Sequence, residues 1–379
     1  MLAWGTAACL LGAAARPHLA LADAAFTVSA GSDHTCAVTL AGGVLCWGRN
    51  SSGQLGDGTK TTRTTPVAVH GLGAGVVAVA AGYGHTCALT EAGELRCWGL
   101  NSSGELGDGT KTTRTTPVAV SGFTSKVVAV TAGYAHTCAL TAAGGAYCWG
   151  LNSSGQLGDG TTTLRVRPVV VSGFASGAAE IGAGYSHTCA VTTAGGVKCW
   201  GYNSHGQLGD GTTSTRRAPV AVTGISTGAA AVSGGFAHTC AVKTSGAVRC
   251  WGRNSYGQVG DGSTAIRKAP ATVSGLSSEG VAVSAGYYHT CALKTSDAVR
   301  CWGWNAFGQL GDYTTNDSPM PVAVSGLSSG GIEVSAGGRH SCAVTAGGAV
   351  KCWGYNGYGQ LGNGTTTTRT IPVRVLGLP

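Results

Sequence analysis

Short runs rich in Val, Ala and Thr alternate along this chain with clusters of Gly, Asn, Asp and Ser. Beyond the extreme N-terminus, no window of 11–18 residues carries a helical stripe. Runs of this length bounded by turn residues predict β-strands. Within one stretch the predicted strands are Val76–Ala81, His85–Thr90, Glu94–Gly99 and Pro117–Val120. The same four recur along the chain. Tryptophan marks the period, standing at 47, 98, 149, 200, 251, 302 and 353, so each unit is 51 residues long. A period of this size indicates one supersecondary unit in a stacked or circular array.

The second and third strands form a predicted hairpin around Glu91-Ala92-Gly93, a three-residue loop with glycine last, where positive φ is needed. That register sets Leu89 opposite Leu95 and Cys87 opposite Cys97. The equivalent pairs are Cys36 and Cys46, Cys138 and Cys148, Cys189 and Cys199, Cys240 and Cys250, Cys291 and Cys301, and Cys342 and Cys352. Cross-strand partners at a non-hydrogen-bonded position lie about 4.5 Å apart, within disulfide reach. Disulfides are therefore the expectation. Zinc would call for C-x₂₋₄-C knuckles, which this spacing lacks. Free structural thiols are the plain alternative.

Four strands per unit, seven units and no helices predict an all-β, seven-bladed β-propeller spanning residues 23–379. A solenoid would carry atypical capping repeats; here the first and last units match the interior ones. If each blade borrowed its fourth strand from the preceding unit, the terminal strand at Pro372–Val375 would complete the first blade and close the ring.

Composition changes the picture in two places. Residues 1–22 read as a secretory signal, apolar from Leu2 to Ala15 with Ala20-Leu21-Ala22 as a cleavage pattern. With the paired cysteines, this predicts a secreted, extracellular or cell-surface protein. No other run reaches transmembrane length. The formal net charge of +8 is distributed rather than pooled, which does not single out a nucleic-acid partner.

Repeated polar residues read as structural, because a chemical site needs different groups converging. His34, His85, His136, His187, His238, His289 and His340 are expected to hydrogen-bond turn backbone, and the tryptophans to pack the blades. Asp57, Asp108, Asp159, Asp210 and Asp261 each precede an arginine by six residues, which predicts a pair stitching each loop. Ser318 breaks the pattern after Asp312, and Asn363 before Arg369 leaves that arginine unpaired. The loops lack the ligand spacing of a calcium site. Arg96, Lys198, Arg249, Arg300 and Lys351 are expected to be solvated charges on the third strands. No catalytic motif and no cofactor or metal motif is present, so the chain reads as a non-enzyme without cofactors.

Positions that vary while their neighbours repeat are more informative. In Trp-Gly-x-Asn and three residues beyond, units four to seven carry Tyr202, His205, Arg253, Tyr256, Trp304, Phe307, Tyr355 and Tyr358. Units one to three hold Leu and Ser there, apart from Arg49. These side chains are expected to form a crescent on one face, and Tyr, Trp and Arg dominate interface hot spots. Filling grooves between blades is the competing role.

The unit V-x-A-G-x-x-H-[ST]-C-A-[LV] … C-W-G-x-N-x-x-G-[QE]-[LV]-G-[DN] resembles the repeat of the regulator of chromosome condensation family. Gly82, His85, Trp98, Gly99, Asn101, Gly104, Leu106 and Gly107 carry the resemblance, which extends over residues 27–379. It implies a seven-bladed propeller. Members include a chromatin-bound exchange factor for the small GTPase Ran and secreted bacterial propellers, one of them a β-lactamase inhibitor. The paired cysteines and signal segment are similar to the secreted branch. The exchange factor uses an inserted β-wedge, for which a strict 51-residue spacing leaves no room. The expected role is a monomeric scaffold that binds a protein or a glycan. An exchange factor-like regulator and an inhibitor of an extracellular enzyme are the alternatives.

Overall fold

The computed structural model describes residues 25–378; the proposed signal segment lies outside them. Twenty-eight strands, numbered in chain order, form seven four-stranded antiparallel sheets. Blade one comprises β1 (Ala25–Ala30), β2 (His34–Thr39), β3 (Val44–Gly48) and β4 (Arg63–Ala68), and the later blades repeat this order. No described helix is long and apolar enough to cross a membrane.

Burial explains the composition of each strand. The second strand of a blade is covered on both faces by neighbouring blades, so β2 is buried along its whole length. A strand buried on both faces reads as a continuous run rather than an alternation. The fourth strand is the outer edge and stays partly exposed. A proline recurs there, from Pro66 to Pro372, where a missing ladder donor is tolerated. The fourth strand also starts earlier than predicted, at Arg114 rather than Pro117.

The hairpin register is as expected. Leu89 faces Leu95, Cys87 faces Cys97, and Gly93 has φ 84°. All seven cysteine pairs are disulfides rather than free thiols. Cys36 is bonded to Cys46, Cys87 to Cys97, Cys138 to Cys148 and Cys189 to Cys199. In the last three blades Cys240 is bonded to Cys250, Cys291 to Cys301 and Cys342 to Cys352. Their Cα atoms lie 4.0–4.1 Å apart, and each pair sits directly across the β2–β3 type of ladder.

Closure differs from the sequence reading. Each blade is built from a single unit, and β28 (Arg369–Arg374) pairs with β27 (Val350–Gly354) of its own blade. No strand is lent to blade one. The ring closes through contacts repeated at each seam. Trp98 Nε1 and Thr86 Oγ1 of blade two both donate to Gln54 O in the blade-one loop, at 2.9 and 2.8 Å. At the closing seam Trp47 and Thr35 do the same to Gln360 O, each at 2.9 Å. The tryptophan lies so close to this loop that Gly56, at φ 71°, has no room for a side chain: an added Cβ would stand 2.6 Å from Trp98 Nε1.

The histidines correct a second expectation. His34 Nε2 meets Thr86 Oγ1 of the next blade at 2.9 Å, not turn backbone. His340 closes the set on Thr35 at 2.8 Å. Because the threonine proton goes to the Gln carbonyl, His Nε2 must be the donor, which assigns the Nε2–H tautomer. Burial pushes the His34 pKa down to about 3, so the ring is neutral.

Candidate interaction face

The β1–β2 turns and the β3–β4 loops emerge at the same end of the ring, joined for example by Leu100 N donating to Gly84 O at 2.8 Å. This end is the upper face. Its loops are held from within. Asn50 Nδ2 donates to Asp57 Oδ1 at 3.1 Å and Asn50 Oδ1 accepts from Leu55 N at 3.0 Å. Asp57 Oδ2 accepts from Arg63 Nε and Nη2 at 3.1 and 2.9 Å. Burial pushes the Asp57 carboxyl up, but bonds from Thr59, Arg63 and Asn50 outweigh it and hold the pKa below the usual value. The expected Asp–Arg stitch is present in blades one to five. In blade seven Arg369 Nε is buried and has no partner. Blade six departs further: Tyr313, 70% exposed, holds φ 71° where the other six blades place glycine.

Most of the crescent predicted from sequence is one contiguous arc. Ring centroids run Tyr256–Trp304 6.0 Å, Trp304–Phe307 5.3 Å, Phe307–Tyr355 4.9 Å and Tyr355–Tyr358 6.3 Å. Arg253 lies 5.8 Å over Tyr256, and Arg49 caps the far end 5.2 Å over Tyr358. These aromatic residues are half-buried. Burial, with the nearby Arg253 charge, lowers the His205 pKa. Tyr202 is exposed at 40% and makes no ring contact with the arc.

A second aromatic set escaped the sequence reading. The x-x pair of Gly-x-x-His runs Ser32-Asp33, Tyr83-Gly84, Tyr134-Ala135, Tyr185-Ser186, Phe236-Ala237, Tyr287-Tyr288 and Gly338-Arg339. These turns converge on the central channel. Tyr83–Tyr134, Tyr134–Tyr185 and Tyr185–Phe236 have centroids 4.6, 4.1 and 4.3 Å apart, and Tyr185 also reaches Tyr287 at 6.0 Å. Burial among its neighbours raises the Tyr185 pKa. Tyr288 joins this rosette to the arc, at 5.1 Å from Phe236 and 5.8 Å from Trp304. Arg253 lies over Tyr288 at 5.1 Å, and Arg339 over Phe307 and Tyr355 at 5.6 and 5.7 Å. The signal that could have found the rosette was present in the turn pair, which varies in the same way as the loop positions.

A model of the RCC1-like domain matches residues 1–332, and models of the regulator of chromosome condensation (RCC1) repeat match 332–360 and 348–379. The chain belongs to the RCC1-like family. Among relatives of this RCC1-like propeller, the ultraviolet-B receptor UVR8 of Arabidopsis thaliana is 36% identical over 355 residues, covering 91% of this chain and 80% of UVR8. The secretion-regulating guanine nucleotide exchange factor of Bos taurus is 31% identical over 348 residues, covering 84% of this chain and 75% of that protein. Prp20p of Saccharomyces cerevisiae, described with its binding to Gsp1p and histones, has the same fold. It superposes with a TM-score of 0.78 at 23% identity, covering 93% of this chain and 88% of its own.

Proposed function

We propose that this RCC1-like propeller is a non-catalytic, secreted or cell-surface scaffold that binds a protein partner through its upper face. The observation that carries the reading is the continuous path of rings and guanidiniums from Arg253 to Arg49 on an otherwise repeated framework. Half-buried Tyr and Trp present large contact area at low ordering cost, and Tyr, Trp and Arg dominate hot spots. The seven disulfides support an oxidising compartment, since thiols are kept reduced in the cytosol.

The test expresses the full chain and collects it from the medium. Intact mass should show a protein starting at Asp23 with seven disulfides. Immobilised protein should retain a partner from its native medium, and Trp304→Ala should lose that partner while keeping its melting temperature. Equal retention by the variant would remove the arc from the interface. An exchange activity is the second reading, favoured by the bovine relative. It predicts faster nucleotide release from a small GTPase, and we expect no acceleration.

A further inference from the structure

Blade seven breaks the loop stitch at one atom. In blade one Asp57 Oδ1 accepts from Asn50 Nδ2 and from Thr59 N and Oγ1, while Asp57 Oδ2 takes Arg63. In blade seven Asn363 Oδ1 accepts from the equivalent groups, Asn356 Nδ2 at 3.2 Å and Thr365 N and Oγ1 at 3.2 and 2.9 Å. These donors fix the amide orientation, because turning it over would set an N–H₂ against Asn356 Nδ2 and Thr365 N. Asn363 Nδ2 therefore stands where the other loops hold a carboxylate oxygen. A donor meets the donors of Arg369, whose Nε is buried and unpaired.

The next residue is Gly364, exposed at the loop surface. With glycine following, no side chain hinders the backbone nitrogen from reaching the Asn carboxamide carbon. We infer that Asn363 is a modification site, deamidated to aspartate so that blade seven acquires the Asp–Arg pair of blades one to five. Gly364 N bonds to Cγ of Asn363, the Cγ–Nδ2 bond breaks, and ammonia leaves with the Gly364 amide proton. The three donors on Oδ1 stabilise the oxyanion that develops during this attack. Water then opens the succinimide, giving hydroxide to the carbonyl carbon and a proton back to Gly364 N. Opening at the side-chain carbonyl yields aspartate, and opening at the main-chain carbonyl yields isoaspartate. Only aspartate keeps the backbone spacing and presents a second oxygen to Arg369. Gly364 N donates to Thr64 O of blade one at 3.0 Å, so the attack waits on opening of this contact at the closing seam. Asn356-Gly357, the other Asn-Gly pair of the chain, is protected. Asn356 is fully buried, its Nδ2 is bonded to Asn363, Thr365 and Thr367, and its Oδ1 is bonded to Leu361 N.

The test incubates freshly purified, oxidised full chain at pH 8 and follows the reduced tryptic peptide 352–369 over weeks by tandem mass spectrometry. The peptide should gain a single dalton, fragmentation should place the gain at Asn363 and not at Asn356, and the product should be chiefly aspartate. The melting midpoint should rise in step with conversion, by about 1–2 °C, the contribution of a half-exposed ion pair in a chain of this length. Asn363→Asp should start at the higher midpoint and keep it with age. Arg369→Gln should deamidate without any rise, because the partner of the new carboxylate is gone. No gain at Asn363 in the aged protein, or isoaspartate as the main product, overturns the inference. So does a midpoint for Asn363→Asp no higher than that of fresh protein, or an equal rise on ageing in Arg369→Gln.

Discussion

Trp302 and Trp304 stand two residues apart and belong to different regions of the molecule. Trp302 is fully buried, and its indole donates to Gln258 O at 3.0 Å across a seam that recurs seven times. Trp304 is half-buried among Tyr256, Tyr288 and Phe307 on one sector of the upper face. The seam residue repeats because every blade must meet its neighbour with the same geometry. The face residue is released from that demand, and leucine at 100 and 151 occupies the same position in blades two and three. Residues that stabilise the ring are thus uniform, and residues free to recognise something are clustered.

The largest effect should come from the cysteines, which belong to the uniform set. A disulfide in a short loop contributes about 2 kcal/mol, so reducing all seven should lower the unfolding midpoint in urea more than any point substitution. A midpoint unchanged by reductant would place the stability of the blades elsewhere. Next, Trp302→Ala should cost about 3–5 kcal/mol of folding stability by denaturant titration, as should Trp149→Ala three blades away. By contrast, Trp304→Ala should cost about 2 kcal/mol or more in partner affinity, read by titration calorimetry, with little change in melting. Comparable destabilisation by Trp302→Ala and Trp304→Ala would erase the distinction between seam and face.

The smallest expected effect concerns a break within the uniform set. Glu105 replaces the glutamine found at this position in the other six units, and its Oε1 is buried without a partner. Burial raises its pKa to about 7. A carboxyl raised in the fold contributes fully below its unfolded value near 4.5 and loses that contribution as pH rises through 7. Glu105→Gln should therefore stabilise by about 1–3 kcal/mol at pH 8, because it removes a carboxylate that burial penalises in its ionised form, with the gain shrinking towards pH 5. The seam histidines act with the opposite sign. Their pKa values fall to about 3–4 by burial. Their contribution is complete above the unfolded value near 6.5 and is lost as pH falls towards 4.

Sequence alone determined the repeat, the strand types, the hairpin register and the pairing of Cys87 with Cys97. Each follows from local rules: a period of 51, short apolar runs bounded by turn residues, and a glycine where φ must be positive. The clustering of Arg253, Tyr256, Trp304, Phe307, Tyr355 and Tyr358 was also legible, because equivalent positions of a ring lie at one height. The partner of His34 was not, since Thr86 is 52 residues away and only blade packing brings the two within 2.9 Å. Nor was the closure of the ring. A fourth strand borrowed or kept gives the same sequence pattern, and pairing energies between blades decide which forms. The rosette needed the tertiary structure for the same reason: the turn residues Tyr83 to Tyr287 meet only because seven blades tilt their inner strands toward one axis.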